Sequence, residues 1–216
     1  MKTEMEKRVY KRSEAIVFRK TKEEFGGLSN MASGFPIKIG KISIYSSEAL
    51  YQACRYPDNP EIQRKIISEK SPMTAKMKSK AFREYSRKDW DDIRIQVMRW
   101  CIRVKLLQNW QSFSILLLST KNLPIVEESK RDAFWGAIPH SNELLVGTNA
   151  LGRLLMELRS EMISYWEEGL YTLKPPKIDN FKLLDEYVPG ISVEITQISS
   201  RDKREVNIQQ TLFDLC

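Results

Sequence analysis

Residues 90–107 read WDDIRIQVMRWCIRVKLL. Apolar residues in this stretch recur every three or four positions, which is the spacing of one buried face of an α-helix. That face is formed by Ile93, Val97, Trp100, Cys101, Val104 and Leu107. A polar surface remains on the other side of the same helix. The stretch therefore predicts a long amphipathic helix that packs on the core of a folded domain.

Shorter elements are predicted on both sides of this helix. The same periodicity, with serine or proline at several starts, predicts helices at about 47–54, 61–69, 73–85, 113–119 and 149–166. Short apolar or alternating runs predict strands at 15–18, 41–45 and 123–126, with a Gly- and Pro-rich loop over 25–40. The sequence thus predicts a mostly helical, single-domain α+β fold with a few short strands.

The character of the chain changes after Trp166. Pro175 and Pro176 interrupt it, and only weak strand signals follow. We expect residues 1–166 to form the domain and residues 167–216 a C-terminal extension with a mobile tail. The tail includes Gln209 to Phe213, a Q-x-x-L-F match to peptides that dock on the bacterial sliding clamp. An ordinary tail that folds back on the domain explains the same five residues.

The composition limits the chemistry. A length of 216 residues suits one domain, and no apolar run approaches a membrane span, so no membrane partner is expected. Cys54, Cys101 and Cys216 are odd in number and far apart, which fits a reducing cytoplasm rather than a disulfide framework. With His140 as the one histidine, we expect no metal site and no cofactor. Hydrolytic chemistry is then left to carboxylates.

Positive charge is concentrated in two parts of the chain. The net charge is +7, with 8 basic and 3 acidic residues in 1–22 and 13 basic and 6 acidic residues in 60–105. Residues 160–216 carry 6 basic and 10 acidic residues. The basic stretches can attract phosphates or nucleic acid. Ordinary solvated surfaces explain the same charges.

A series of short motifs runs from about Phe18 to Arg159. Their order is LSN at 28–30, SE-x₃-Q at 47–52, Trp90 with Lys105, E-x₄-D-x₂-WG at 127–136, and G-x-N-x-LG at 147–152. Together these motifs resemble those of the NADAR (YbiA-like) family. The chain departs from the family pattern after WG, where it has Ala137 to His140 instead of a glycine-rich run. It also has Arg55 where the family usually has lysine, which excludes a Schiff base at this position.

The resemblance implies an α+β enzyme that hydrolyses N-glycosidic bonds. One branch of the family is implied to remove ADP-ribose from guanine in DNA, as the antitoxin of a DarT-type toxin. Another is implied to clear phosphorylated riboflavin-pathway intermediates. The basic stretches, including the FRKTK run at 18–22, favour the DNA branch. ADP-ribosylated DNA or a small ADP-ribose-like substrate and a DarT-type toxin are then the expected partners. A non-catalytic module that binds ADP-ribose or DNA is a third alternative.

The chemistry of this reaction points to acidic residues. Breaking a C1′–N bond develops positive charge on the ribose, which a carboxylate stabilises while another group assists the leaving base. On the resemblance we expect Glu48 and Asp132 to be catalytic. From spacing alone, Glu48 is equally well a helix-cap residue, and Asp132 a turn acid beside a core tryptophan.

Further residues of these motifs are expected to bind the substrate. Trp90 and Trp135 are candidates for stacking, although each also suits a core position. Asn30 and Asn149 are expected to contact ribose hydroxyls or water, and the turn at Gly147 to offer N–H groups to phosphate. The full set of expected binding residues is Arg19, Ser29, Asn30, Gln52, Arg55, Lys76, Trp90, Lys105, Glu127, Trp135, Gly136, Gly147 and Asn149. Among them Arg19, Lys76 and Lys105 are the expected pyrophosphate ligands.

Overall fold

The structure, a computed structural model, describes residues 5–168 and 170–195. Its helices confirm the predicted mostly helical α+β fold, and each predicted helix is present. They are α1 Ser47–Ala53, α2 Pro60–Ile67, α3 Pro72–Ala81, α4 Trp90–Gln108, α5 Trp110–Leu118 and α6 Ala150–Glu168. The predicted helix over 73–85 was too long, since α3 ends at Ala81 and a separate 3₁₀ turn spans Arg83–Tyr85. Helix α5 begins three residues before the predicted start, at Trp110.

The strands are short and fall into several small sheets. They are β1 Arg8–Lys11, β2 Ile16–Phe18, β3 Ile37–Ile39, β4 Ile42–Ile44, β5 Ile125–Glu127, β6 Ile138–Pro139, β7 Leu144–Gly147, β8 Leu170–Leu173, β9 Lys182–Leu183, β10 Glu186–Tyr187 and β11 Ile191–Glu194. β7 lies between β1 and β6, and β2 pairs in parallel with β5. The sequence did not predict β1, β6 or β7, whose few residues carry no clear alternation. The parallel pair places Phe18 opposite Glu127, at the end of β5.

One hydrophobic core joins the helices. The apolar face predicted for α4 is buried, from Val97 to Leu107, with Ile93 partly buried at its start. Lys105 lies in the same core although it is charged, and its side chain is only 1% exposed. Helix α6 packs against both α4 and β5, so it supports the strand that ends at Glu127.

The described part of the C-terminal segment packs on this core. Leu173, Phe181, Val188 and Ile191 are buried in it, and the ring of Phe181 meets that of Trp100 edge-on at 5.2 Å between centroids. The predicted boundary near residue 166 stays a prediction. The clamp-like segment Gln209 to Phe213 lies outside the described residues. Among the residues described, no helix is long and apolar enough to cross a membrane.

Candidate active site

Glu48 lies in the first turn of α1 and is almost fully buried, with 4% of its surface exposed. The helix cap belongs to Ser46, whose Oγ accepts a hydrogen bond from the N–H of Ala49 at 3.2 Å. The carboxylate of Glu48 instead accepts hydrogen bonds from two amides, Nδ2 of Asn30 at 2.6 Å and Nε2 of Gln52 at 2.8 Å. Because Ser46 already caps the helix, Glu48 is free for another role.

A chain of buried hydrogen bonds fixes Gln52 from behind. Its Oε1 accepts a hydrogen bond from Oγ of Ser79 on α3, at 2.5 Å. The hydroxyl of Tyr56 in turn donates to the carbonyl of Ser79, at 2.6 Å. Buried polar groups that are all paired hold one geometry. The position of the Glu48 carboxylate therefore depends on the packing of α1 against α3.

A second carboxylate, that of Glu127, is held by the same loop as Glu48. Oγ of Ser29 donates to Oε1 of Glu127 at 3.2 Å, while the next residue, Asn30, binds Glu48. Consecutive residues are about 3.8 Å apart at Cα. The two carboxylates are thereby brought to the same part of the molecule, one from α1 and one from the end of β5.

The ionisation of Glu127 differs from that of an ordinary surface glutamate. Burial raises the pKa of Glu127 to about 7, and the negative charges of Glu48 and Asp132 act in the same direction. The hydrogen bond from Ser29 and the positive charge of Lys76 oppose this rise. A carboxyl group with this pKa can carry a proton at neutral pH and give it up.

Lys105 holds the loop that carries these contacts. Its Nζ donates to the carbonyls of Gly27 at 2.6 Å and Ser29 at 3.0 Å. It also lies over the rings of Phe35 and Phe113, 4.4 and 4.3 Å from their centroids. Burial lowers the pKa of Lys105 to about 7. The structure thus places Lys105 in the core beneath the loop, and its expected role as a pyrophosphate ligand stays a prediction.

Aromatic rings and two guanidinium groups surround the α1 side of the site. The ring of Tyr51 contacts both Trp90 and Trp135, with centroids 5.0 and 5.7 Å apart. The guanidinium of Arg55 lies over Trp90 at 4.7 Å, and Arg94 lies over Phe134 at 3.8 Å. Trp90 is only 5% exposed, so it lines the site from the core, whereas Trp135 is partly exposed.

Several buried polar atoms in this region have no hydrogen-bond partner among the described residues. They are Oδ1 of Asn30, Nε1 of Trp90, Nε of Arg55 and Nε of Arg94. Buried polar groups are rarely left unpaired in native proteins. Three of these atoms are donors on groups that surround Tyr51. This region therefore retains unused hydrogen-bonding capacity next to the carboxylates.

Asp132 shapes the turn before Trp135. Its Oδ1 accepts hydrogen bonds from the N–H groups of Phe134 and Trp135, both at 2.9 Å, and its own N–H donates to Oγ of Ser129. These contacts match the turn-acid alternative. Its charge still reaches Glu127, whose pKa it raises. A direct catalytic role for Asp132 stays a prediction.

The start of α6 differs from the expected phosphate site. The N–H groups of Asn149, Ala150 and Leu151 donate to the carbonyls of residues 136, 134 and 135, so the expectation of open N–H groups was wrong. Asn149 is fully buried, and its side chain bonds the N–H of Glu127 at 3.1 Å and the carbonyl of Ile125 at 2.8 Å. These two bonds position β5, and the expected contact of Asn149 with a ribose hydroxyl stays a prediction.

The glycines beside this junction allow close backbone packing. A Cβ at Gly136 would lie 2.4 Å from the carbonyl oxygen of Glu127, and one at Gly147 would lie 2.4 Å from that of Gly136. No side chain fits at either position without displacing backbone. Both residues therefore support the end of β5, and the expected substrate contacts at these two positions stay predictions.

Arg19 and Lys76 lie outside the hydrogen-bonded group. Arg19 contacts Glu128 at 3.5 Å and lines a shallow pocket of about 270 Å³ with Arg12, Lys20 and Glu23. Lys76 is exposed on α3, yet its charge reaches Glu127. No described group of three or more His, Cys, Asp or Glu side chains is placed to hold a metal ion.

Three residues of the site were not predicted from the sequence: Tyr51, Ser79 and Arg94. Tyr51 follows Glu48 by three positions and Arg94 follows Trp90 by four, so helical spacing was an available signal for both. Ser79 lies 27 positions after Gln52, and no local pattern connects them.

Comparison with known proteins supports the resemblance. A family model described as NADAR domain matches residues 17–163. The N-glycosidase YbiA of Escherichia coli (strain K12) is 35% identical over 147 residues, which cover 68% of this chain and 88% of that protein. The NMR structure of E. coli YbiA has a TM-score of 0.60 at 30% identity and covers 73% of this chain and 94% of that chain.

Longer relatives have a different name. A riboflavin biosynthesis protein of Vibrio vulnificus is 35% identical over 149 residues, and a chloroplastic riboflavin biosynthesis protein of Zea mays is 36% identical over 162. The matched region is 38% and 25% of those two proteins, respectively. The relatives named N-glycosidase confirm that this family contains hydrolases of N-glycosyl bonds. With the family model over 17–163 and the match to YbiA in sequence and fold, the chain belongs to the NADAR domain family.

Proposed function

We propose that the protein is an N-glycosidase in which Glu127 acts as the acid and Glu48 stabilises the charge that develops on the ribose. The observation that carries this proposal is the loop Ser29–Asn30, whose consecutive side chains bind the two carboxylates. Glu48 faces two amide donors, an arrangement that a deprotonated carboxylate satisfies. Burial gives Glu127 a pKa of about 7. Two carboxyl groups in different environments suit an acid and a base.

In this mechanism the C1′–N bond breaks and its electron pair leaves with the nitrogen of the base. Protonated Glu127 gives its proton to the leaving base, and the ionised Glu48 stabilises the positive charge that develops on the ribose. A water molecule then adds to C1′ and passes its proton to Glu48. The products are the unmodified base and a sugar with a hydroxyl group at C1′, and proton exchange with solvent restores both glutamates.

For the substrate, we propose ADP-ribose linked to guanine in DNA, with the protein acting as antitoxin of a DarT-type toxin. Two features support this choice. The partly exposed ring of Trp135 and the partly exposed side chains of Arg55 and Arg94 suit flat bases and phosphates, and the buried ring of Tyr51 packs behind Trp135. The stretch 60–105 has 13 basic and 6 acidic residues, and one of its lysines, Lys76, acts on Glu127 through its charge.

A second substrate class is favoured by the names of the longer relatives. The riboflavin biosynthesis proteins of V. vulnificus and Z. mays contain a region similar to this chain. The same two glutamates can cleave the N-glycosidic bond of a phosphorylated riboflavin intermediate. Because the site holds both an acid and a base, we prefer either of these two enzymatic functions over a module that only binds ADP-ribose.

A panel of two substrates tests the proposal. The full-length protein is incubated in parallel with an oligonucleotide that carries ADP-ribose on guanine and with a phosphorylated ribosylamino-pyrimidine, and products are separated by mass spectrometry. We expect faster release from the oligonucleotide. Faster cleavage of the pyrimidine substrate assigns the chain to the second class. A folded protein that cleaves neither contradicts the N-glycosidase proposal for these substrates.

A further inference from the structure

Helix α3 presents an exposed stripe of methionine and lysine next to the site. Met73 and Met77 are 59% and 58% exposed, and Lys76 and Lys80 are exposed beside them. Positions 73, 76, 77 and 80 share one face of a helix, since residues three and four apart are neighbours. We call these four residues the α3 stripe. Large apolar side chains on a surface suggest a partner when they are grouped together.

The opposite face of α3 is part of the candidate active site. Pro72, Ala75 and Ser79 are buried against the domain, and Ser79 holds Gln52, which binds Glu48. At one edge of the stripe, the charge of Lys76 acts on Glu127. The helix that carries the stripe therefore also supports Glu48, and a molecule that lies along the stripe meets a lysine whose charge reaches Glu127.

The chemistry of the stripe indicates a polyanion with flat apolar groups. Residues 64–83 contain seven basic residues and one acidic residue, Glu69, which pairs with Lys78 outside the stripe. Lysines attract phosphates, and polarisable methionine side chains pack on rings of variable shape. A single nucleic-acid strand offers phosphates and bases in alternation, which matches lysine and methionine on one helix face.

We propose that the α3 stripe binds the single-stranded nucleic acid on which the modified base is carried. This inference rests on the nucleic-acid form of the proposed function. Met73 and Met77 contact neighbouring bases, Lys80 contacts the phosphate backbone, and Lys76 lies at the end nearest the carboxylates. Double-stranded DNA is a poorer occupant, because its stacked bases do not expose flat faces to methionine.

The test compares two double variants on two substrates. Met77→Ser with Lys80→Ala changes the stripe. The control is Leu170→Ser with Lys174→Ala. It removes a similarly exposed apolar residue on β8 and a lysine that follows this strand. The substrates are an ADP-ribosylated oligonucleotide of twelve nucleotides and the ADP-ribosylated nucleoside. Loss of one contact between a methionine and a ring lowers affinity by roughly two- to tenfold.

We expect the stripe variant to lower kcat/KM for the oligonucleotide by roughly tenfold, because one base contact and one phosphate contact are lost together. Its kcat/KM for the nucleoside, and both values for the control variant, remain unchanged. An equal loss on both substrates overturns the inference, because the stripe then acts through the site itself. Unchanged turnover of the oligonucleotide also overturns it, while the proposed N-glycosidase activity stands.

A binding measurement separates this inference from the proposed function. Fluorescence anisotropy of an unmodified labelled 12-nucleotide strand is followed at several salt concentrations. We expect the stripe variant to bind more weakly, with a salt slope smaller by about 0.7 for the lost lysine. If the wild type cleaves neither substrate, this measurement alone decides: equal binding by the stripe and control variants overturns the inference. The inference is also overturned if the stripe variant loses more binding to anionic vesicles or to an acidic peptide than to the strand.

Discussion

At the scale of single residues, the environment assigns different roles to residues of the same type. The sequence motifs identified Glu48, and the structure surrounds it with Asn30 and Gln52. The motifs also paired it with Asp132, but the hydrogen bonds of Asp132 shape a turn, and Glu127 is the carboxyl group with a pKa near 7. Burial of Glu127 in the folded protein produces that pKa. No pattern near Glu127 in the sequence reports it.

The first prediction concerns the pH dependence of turnover. Glu127 must be protonated to act as the acid, and its pKa is about 7, so kcat/KM is expected to fall as pH rises through 7. In Glu127→Gln, which cannot donate the proton, we expect kcat/KM at pH 6 to fall by roughly 10²–10⁴ and the alkaline decline to disappear. Steady-state kinetics from pH 5 to 9 measure both. An unchanged alkaline decline in Glu127→Gln would assign it to another group.

The same pKa has a consequence for stability. The pKa of Glu127 is higher in the folded protein than its ordinary value of 4.5, so the folded state binds more protons between pH 4.5 and about 7. Its contribution to the free energy of unfolding therefore falls as pH rises through this window. Glu127→Gln is expected to reduce this decline when urea unfolding is compared at pH 5 and pH 8. Identical pH dependence in both proteins would contradict the assigned pKa.

A further residue-scale prediction separates the effect of the Asp132 charge from that of its hydrogen bonds. Asparagine retains the side-chain oxygen that accepts from Phe134 and Trp135, and alanine removes it. If Asp132 mainly positions Trp135, Asp132→Asn keeps most of the activity, whereas Asp132→Ala loses stability by about 1 kcal/mol, as for a lost cap. Turnover and thermal unfolding of both variants are measured together. A severe loss of turnover in stable Asp132→Asn would instead support direct catalysis by the carboxylate.

At the scale of elements, the periodic helices were predicted well and the contacts between distant elements were not. The apolar spacing of α4 identified its buried face, because a helix of that length repeats the pattern several times. Strands β1, β6 and β7 are defined by pairing between distant parts of the chain, such as Arg8 with Gly147, which no local pattern reports. Lys105 was expected to bind pyrophosphate, since a lysine beside an apolar face gives no sign of the carbonyls and rings that surround it.

The junction of β5 and α6 gives an element-scale prediction. A Cβ at Gly152 would lie 2.1 Å from the carbonyl oxygen of Ile125 and 2.5 Å from Nδ2 of Asn149. Helix propensity alone favours alanine by about 1 kcal/mol, but this overlap is expected to reverse the sign and destabilise Gly152→Ala by about 1–3 kcal/mol. Because Asn149 accepts a hydrogen bond from the N–H of Glu127 at the end of β5, turnover should also fall. Urea unfolding and kinetics measure the two effects.

Gly190→Ala is the matched control for this junction. Its Cβ would meet Thr172 at 3.5 Å, an ordinary contact, so little change in stability is expected. Equal stabilities of Gly152→Ala and the wild type would show that the junction yields easily and does not fix β5.

At the scale of the whole molecule, charge is the property that the sequence described most directly. Within the basic stretch 60–105, the charge of Lys76 on α3 acts on Glu127, whereas Arg99 and Arg103 of α4 are paired with Glu157 and Glu161 of α6. These arginines join two helices, so summed charge overstates what remains for a nucleic acid. Which cations are paired depends on the packing of α4 against α6, which composition does not reveal.

Salt dependence is the corresponding prediction. Phosphate contacts release counterions from the nucleic acid, so kcat/KM for an ADP-ribosylated oligonucleotide is expected to fall as salt rises from about 50 to 200 mM. For the ADP-ribosylated nucleoside, which has no strand, the decline should be much smaller. Parallel salt series with one enzyme preparation measure the difference. Equal salt dependence for the two substrates would argue that the basic surface does not contact a strand.

In the proposed mechanism, the buried carboxylate of Glu48 is required for hydrolysis of an N-glycosidic bond. The most direct measurement compares the release of free ADP-ribose, by mass spectrometry, from an oligonucleotide ADP-ribosylated on guanine by the wild type and by Glu48→Gln. Glutamine nearly preserves size, and a matching thermal unfolding curve checks the fold. We predict release by the wild type and none by the variant. Undiminished release by a folded Glu48→Gln protein would contradict the account.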